Sequence, residues 1–451
     1  MTARESAFLS LQKYENSGVY SNIELSYAIE RGHLEGAEKA LYTALFYGVI
    51  ERKLTLDYYI AKLSDRKDEE IDLNVRIILR MGLYQLMYMD KIPESAAVNE
   101  SVKLATRFYA KKNSTQFINA ILRNFLRQKD KITLPKKEKD PISYLSVTYS
   151  VPEWICRLWL DAYGMEDTIK ILETVNSHPA MTLRVNTLKM SADELLEALK
   201  NEGIRAHISE ISKNSIVLDR AVPMDKLEIL NPENEARAFF IQDEASSLCV
   251  DVMGAEKGDI VLDACACPGG KSFGMALSMG NEGKILSYDL HKNKLSLIEN
   301  GARSLGITII QTGVQNASVY NEEMPVFDKI LCDVPCSGLG VIAKKPDIRY
   351  KSEEDIVRLP ALQAKILENN AKYLKVGGTM VYSTCTLNPD ENRNIVEDFL
   401  KNHPEFSLCP FSVSGKETDG ILEILPFMYD TDGFFIAKMR RVAADKSAVS
   451  E

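Results

Sequence analysis

From about residue 236 onward, short apolar runs alternate with helical segments, and this pattern constrains the fold more tightly than any other feature of the chain. Runs at 260–262, 285–288, 307–311, 329–332, 379–382 and 434–439 have the length of strands. Helical patterns separate them, as at 359–374, which Gly377 and Gly378 stop. Strand–helix alternation with short connections predicts a parallel, Rossmann-like α/β sheet. The C-terminal strand ends of such a sheet face the ligand crevice. Two of these runs lead directly into cysteines, Cys336 within DVPCSGLG and Cys385 within YSTCTLNPDEN. Two thiols at two such ends can share one site. A thiolate is a soft nucleophile suited to adding to an electron-poor carbon, and a second group is then needed to undo the adduct.

At 451 residues the chain is too long for a single core. Residues 1–130 read as all helix: Val75, Ile78, Leu79, Leu83, Leu86 and Met87 share one face, as do Ile118, Ile121, Leu122, Phe125 and Leu126. A polar, charged, proline-containing linker is expected over 131–142, and a small α+β domain over 143–235. The α/β domain then occupies 236–442, with a polar tail over 443–451. Trp154 and Trp159 read as core or domain-interface residues and His291 as a surface one.

Several classes are set aside. Apolar stretches such as 41–50 are about half of what a bilayer requires, and the first residues lack the basic and apolar regions of a signal peptide. A cytoplasmic protein with reduced thiols is expected. None of the eight cysteines forms a C-x-x-C pair and the five histidines are scattered, so no metal site is expected. Net charge is −9, but residues 1–140 carry +4 and the remainder −13. Lys103, Arg107, Lys111, Lys112, Arg123 and Arg127 belong to a stretch, 103–139, with eleven basic residues and two acidic ones. A solvated helix face would look the same; the functional reading is a patch contacting RNA phosphates.

The first α/β strand leads into DACACPGGKS, residues 263–272. A glycine pair between a strand and a helix lets a ligand approach the backbone closely. The spacing matches neither G-x-x-x-x-G-K-S/T nor G-x-G-x-x-G. Asp289 ends the second strand, nineteen residues after Gly270, where an acid commonly grips ribose hydroxyls. In this order the two features predict an adenosine-containing cofactor.

With DACACPGGKS, DVPCSGLG and YSTCTLNPDEN in that order, the chain resembles the RNA 5-methylcytosine methyltransferases that use S-adenosylmethionine (SAM). LRVN at 183–186, FIQDEASS at 240–247, KPDI at 345–348 and DGFF at 432–435 extend the match. IPESAAVN at 92–99 and FINAILR at 117–123 resemble a NusB-type RNA-binding domain. That fusion points to the RsmB (Sun) branch, which methylates a cytosine of 16S ribosomal RNA. The resemblance implies that Cys385 adds to C6 of the cytosine, that Asp333 contacts the base at N3, and that Cys336 assists loss of the C5 proton. It implies SAM contacts from Cys265, Ala266, Cys267, Pro268, Gly269, Gly270, Lys271, Asp289, Asn316 and Asp333. The family usually carries Asp where Asn316 stands, and Asn accepts less strongly from the adenine amino group. On the bare residues, Lys271 also fits a solvated lysine at a helix start. The implied partner is small-subunit ribosomal RNA, with no membrane or metal, and the protein is expected to be a monomer. A tRNA-specific relative and a non-catalytic assembly factor are the alternatives.

Overall fold

A computed structural model describes residues 1–443 apart from 110–111, 178, 221, 229 and 232–234. Of the expected tail, 444–451 lies outside the described residues. The chain forms two compact units, one of Met1–Asn176 with Lys344–Lys351, the other of Ser177–Ala343 with Ser352–Glu451.

The first unit is helical. Its opening helix, Ala3–Ser17, begins at a capping box between Thr2 and Glu5 and ends at Gly18, whose φ of 60° favours glycine. Helices Leu73–Tyr88 and Lys112–Gln128 bring their expected apolar faces together. Val75, Ile78, Leu79, Leu83, Ile118, Ile121, Leu122 and Phe125 are buried, and Leu86, Met87 and Leu126 pack against them. Gly82 permits that approach, because a Cβ there would lie 2.8 Å from both Leu122 methyls. Helices Pro141–Tyr149 and Glu153–Thr174, which the sequence placed with the middle domain, fall in this unit. Trp159 is fully buried on the latter.

Segment Lys344–Lys351, which contains KPDI, also belongs here. Its Arg349 is fully buried and donates to the carbonyls of Glu51 (2.8 Å), Ser150 (3.1 Å), Val175 (3.2 Å) and Pro346 (3.2 Å), and to Asn176 Oδ1 (3.2 Å). Burial lowers the guanidinium pKa, yet arginine stays charged, so the carbonyl dipoles carry its stabilisation.

The second unit holds two sheets. In the smaller, β1 (Thr182–Val185), β2 (Ala206–Ile208), β3 (Ser215–Leu218) and β4 (Phe239–Ile241) run antiparallel in the order β2-β3-β1-β4. The LRVN motif explains itself as fastening. Arg184 is buried and pairs with Asp251 at 2.7 Å, and Asn186 donates to the carbonyls of Arg237 (2.7 Å) and Leu305 (3.0 Å).

The larger sheet contains β5 (Ile260–Asp263), β6 (Lys284–Asp289), β7 (Ile310–Val314), β8 (Phe327–Asp333), β9 (Leu374–Thr384) and β10 (Phe406–Leu408). After a small ladder of β11 (Ser412–Val413) and β12 (Lys416–Glu417), β13 (Ile421–Ile424) and β14 (Phe434–Arg441) complete it. The order is β10-β14-β9-β8-β5-β6-β7, with β13 paired to β14. Strands β5 to β9 are mutually parallel, whereas β14 runs antiparallel to β9, β10 and β13. The sheet is therefore mixed and not wholly parallel as expected, since its last strand returns beside β13 instead of crossing over. The chain runs outward through β5, β6 and β7, then reverses to β8 on the other flank of β5. The carboxyl ends of β5 and β8 thus form the topological switch point, where ligands of such sheets bind.

Two boundaries also differ from the sequence reading. Ile307 closes the preceding helix turn, its N–H on Ala302 O at 2.9 Å, so β7 starts only at Ile310. The helix from Leu359 ends at Ala371, and Gly377 and Gly378 lie inside β9. There the partners jump from Phe327↔Leu374 to Lys329↔Thr379, a bulge that Gly377 allows with φ 82°.

Candidate active site

Five strand ends, those of β5 to β9, carry the expected site residues. From β5 the chain turns through Cys265–Gly269 into helix Gly270–Ser278. Gly269 has φ 111°, and a Cβ there would lie 2.6 Å from the Phe273 ring, so only glycine suits this turn. Asp289, ending β6, braces the turn by accepting from Cys267 N (3.3 Å) and His291 N (2.9 Å). Asn316 follows β7 and is exposed; its Oδ1 accepts from Ser318 N (3.1 Å) and Ser318 Oγ (2.8 Å).

Asp333 closes β8 opposite Ser383 of β9. Its Oδ2 pairs with Lys271 Nζ at 2.8 Å and its Oδ1 accepts from Ser383 Oγ at 2.8 Å. Lys271 is thus no solvated lysine: it is largely buried, with Nζ 5.1 Å from the centroid of Phe434, the first Phe of DGFF. Burial opposes its charge, but the Asp333 carboxylate, together with Cys249 and Cys385, outweighs burial and holds the ammonium well above the usual lysine range.

Beyond β8 and β9, Cys336 and Cys385 lie with their sulfurs 3.3 Å apart, both partly exposed. That separation suits a hydrogen bond and exceeds a disulfide by more than an ångström. The hydrogen bond splits the pair electrostatically. A Cys336 thiol donating to Cys385 favours the Cys385 thiolate enough to outweigh burial and the nearby Asp333 carboxylate, with a smaller favourable contribution from Lys271. Cys336 is raised well above the ordinary thiol range, first by that bond and then by burial. Buried thiols away from this pair differ: burial is the main cause that pushes Cys156 and Cys249 up to about 12. Gly340 N donates to Cys385 O at 3.0 Å, and Gly433 N to Gly340 O at 2.9 Å. A Cβ on Gly340 would lie 2.0 Å from Gly433 O, which accounts for glycine at the close of DVPCSGLG.

Three residues given no role by the sequence reading complete the site. Ser383 orients Asp333. Asp263, buried at the end of β5, accepts from Ser272 Oγ at 2.6 Å, while its Oδ1 has no hydrogen-bond partner among the described residues; burial raises its pKa to about 7. Glu391 is buried behind the thiols. Each stands inside a quoted motif, but the motif alone does not show which way its side chain points.

The basic residues are distributed over two packed helices. Lys103 and Arg107 are exposed on Glu94–Tyr109, and Arg123 and Arg127 on Lys112–Gln128, each pair one turn apart. Lys103 pairs with Glu100 at 2.7 Å, Arg107 with Glu5, and Arg123 Nε donates to Asn119 at 3.0 Å. Lys111 and the side chain of Lys112 lie outside the described residues. Among the described residues no cluster of three His, Cys, Asp or Glu is placed to hold a metal ion. No described helix is long and apolar enough to cross a membrane.

A switch-point crevice with a glycine turn, a strand-end acid and two adjoining thiols defines a Rossmann-type methyltransferase domain. Family profiles divide the chain in the same sense: 16S rRNA methyltransferase RsmB/F over residues 250–440, the NusB family over 1–127, and the ferredoxin-like domain of RsmF/B-like methyltransferases over 151–225. A Bacillus subtilis protein described as a probable ribosomal RNA small subunit methyltransferase B is 37% identical, covering 98% of this chain and 99% of its own. A Synechocystis protein of the same description is 32% identical, covering 98% and 100%. The crystal structure of PH0851 superposes with a TM-score of 0.78 at 25% identity, covering 97% of both chains. A methyltransferase homologue from Pyrococcus horikoshii superposes at 0.59 with 28% identity, covering 67% of this chain and 99% of its own. The chain belongs to the RsmB/F family of 16S rRNA methyltransferases.

Proposed function

We propose that this protein methylates C5 of one cytosine in 16S ribosomal RNA, with Cys385 as nucleophile. The observation that carries the reading is the Cys336–Cys385 pair, 3.3 Å apart, beside the Lys271–Asp333 ion pair. The residues present fit SAM: the 265–269 turn lies at the carboxyl end of β5, at the switch point, and Asp289 keeps acceptor capacity beyond its two backbone bonds. Asp263, whose Oδ1 has no hydrogen-bond partner among the described residues, ends β5 just before that turn. When bound, SAM supplies an electrophilic sulfonium methyl group. Cys265–Lys271, Asp289, Asn316 and Asp333 are the residues that would hold it.

The chain's own residues supply the rest. The Cys385 thiolate forms a bond to C6, the C5–C6 π electrons shift toward the ring nitrogen and carbonyl, and Asp333, fixed by Lys271 and Ser383, orients the base at N3. C5 is then electron-rich and accepts the methyl group. Forming the C6 bond also consumes the negative charge on Cys385, which is what holds Cys336 protonated. Cys336 becomes more acidic at that moment, loses its proton to water, and as thiolate takes the C5 proton. The C5–H electrons restore the C5–C6 double bond and Cys385 leaves. Bound RNA phosphates are assigned to Lys103, Arg107, Lys111, Lys112, Arg123 and Arg127. The protein is read as a cytoplasmic monomer of three domains, 1–130, 143–235 and 236–442, with a linker over 131–142 and a polar tail over 443–451.

Bisulfite sequencing of 16S rRNA from cells lacking the protein tests the reading. One cytosine protected in wild-type cells should become fully convertible. An unchanged pattern would overturn the assignment of substrate and product.

A further inference from the structure

We propose that Glu391 is a positioning residue that sets the spacing of Cys336 and Cys385. This rests on the role given to those thiols above. Glu391 is fully buried and forms no ion pair among the described residues. Its carboxylate is held by three N–H donors: Ser337 N at 2.8 Å and Gln363 Nε2 at 2.9 Å on Oε2, and Asn388 Nδ2 at 3.0 Å on Oε1. A buried carboxylate without a cation is costly, and such a site persists only when its donors are fixed.

The origin of the donors gives the function. Gln363 also donates to Pro335 O at 3.0 Å, so the residues before and after Cys336 are both tied to the Gln363–Glu391 pair. On the other loop, Asn392 beside Glu391 donates to Thr386 O at 2.9 Å and accepts from Thr384 Oγ1 at 2.5 Å. The residues before and after Cys385 are therefore tied to the same turn. A Ser337–Thr386 hydroxyl contact of 2.6 Å joins the two loops directly, and Tyr382 OH donates to Glu391 O at 2.6 Å. All four neighbours of the two thiols converge on residues 391 and 392. Glu391 touches neither the base nor the cofactor in the proposed chemistry; it acts through the loops.

Glu391→Gln keeps the volume but turns one acceptor into a donor facing another N–H. Two readouts separate positioning from bulk stability. The first uses no RNA: diamide takes two electrons and two protons from the thiols, giving a Cys336–Cys385 disulfide and a hydrazine, and peptide mass spectrometry follows the rate. Glu391→Gln should form this bond about tenfold more slowly while binding SAM within twofold of wild type, because an ångström of misplacement can cost that much or more. The second is turnover on ribosomal RNA, where kcat should fall about tenfold with KM for SAM unchanged. An unchanged disulfide rate and kcat would overturn the inference. A slower disulfide rate in a protein whose rRNA cytosine is unmodified even in wild-type cells would retain the positioning role and overturn the function instead. If Glu391→Gln fails to bind SAM, Gln363→Met takes the same test by removing the side-chain donor that ties Glu391 to Pro335; an unchanged disulfide rate there also overturns the inference.

Discussion

Replacing Asp289 with alanine measures the cofactor assignment. Each carboxylate oxygen already accepts one backbone N–H, from Cys267 at 3.3 Å and His291 at 2.9 Å. An ionised carboxylate offers about four acceptor sites, so two remain for a vicinal ribose diol. A hydrogen bond to a charged group contributes about 1.5–3 kcal/mol, and two sharing one carboxylate are not additive. Losing both should cost about 2–3 kcal/mol, or about 30- to 150-fold in Kd. Titration calorimetry with S-adenosylhomocysteine reads this directly. Because Asp289 also braces the 265–269 turn, a second arm separates ribose contact from loop collapse. Wild-type protein should bind a 2′,3′-dideoxy analogue with a similar penalty, and Asp289→Ala should bind both ligands equally. An alanine variant within about threefold of wild type, or one that still discriminates between the ligands, would refute the placement of the ribose.

Asn316→Ala should weaken SAM binding less than Asp289→Ala, since Asn316 Oδ1 is already committed to Ser318; a larger loss by calorimetry contradicts this. Iodoacetamide labelling against pH should show Cys385 ionising below the ordinary thiol value of about 8.5 in wild type and above the wild-type midpoint in Cys336→Ala, because the Cys336 hydrogen bond is the largest cause of the depression. An unshifted or lower midpoint would reject the proton-sharing pair. Arg123→Gln with Arg127→Gln should flatten the slope of log K against log salt for RNA binding by up to about 1.4, about 0.7 per lost contact on single-stranded RNA. An unchanged slope assigns the RNA contacts to another surface. Gly340→Ala should destabilise by about 3 kcal/mol and abolish turnover, since its Cβ would meet backbone oxygens at 2.0 Å (Gly433) and 2.9 Å (Cys385); wild-type Tm and activity would contradict the close packing.

Much of the site was legible because its residues sit at strand ends, where apolar runs stop and turn-formers begin. Cys336, Cys385, Asp333 and Asp289 all occupy such positions, and the register of β8 with β9 places Asp333 opposite Ser383. Periodicity fails where tertiary contacts decide. The antiparallel direction of β14 depends on its pairing with β13, and the glycines that resemble a helix stop are a bulge in β9. The bare residues leave Lys271 open to a solvated-lysine reading beside that of a cofactor contact, and only the fold shows its carboxylate partner on β8. Arg349 and Glu391 are charged residues in polar segments, which local pattern assigns to solvent. Both are buried because distant carbonyls or N–H groups satisfy them. The basic stretch marks charge density correctly, but part of it is spent on Glu100 and Glu5.

Incubating Cys336→Ala and Cys385→Ala with SAM and 16S ribosomal RNA, then resolving them by denaturing gel electrophoresis, tests the covalent mechanism most directly. Cys336→Ala should accumulate a protein–RNA species that survives denaturation, with the cross-linked peptide containing Cys385. Cys385→Ala should form none. A stable species in Cys385→Ala but not in Cys336→Ala would reverse the two thiols, and none in either would contradict covalent catalysis at this site.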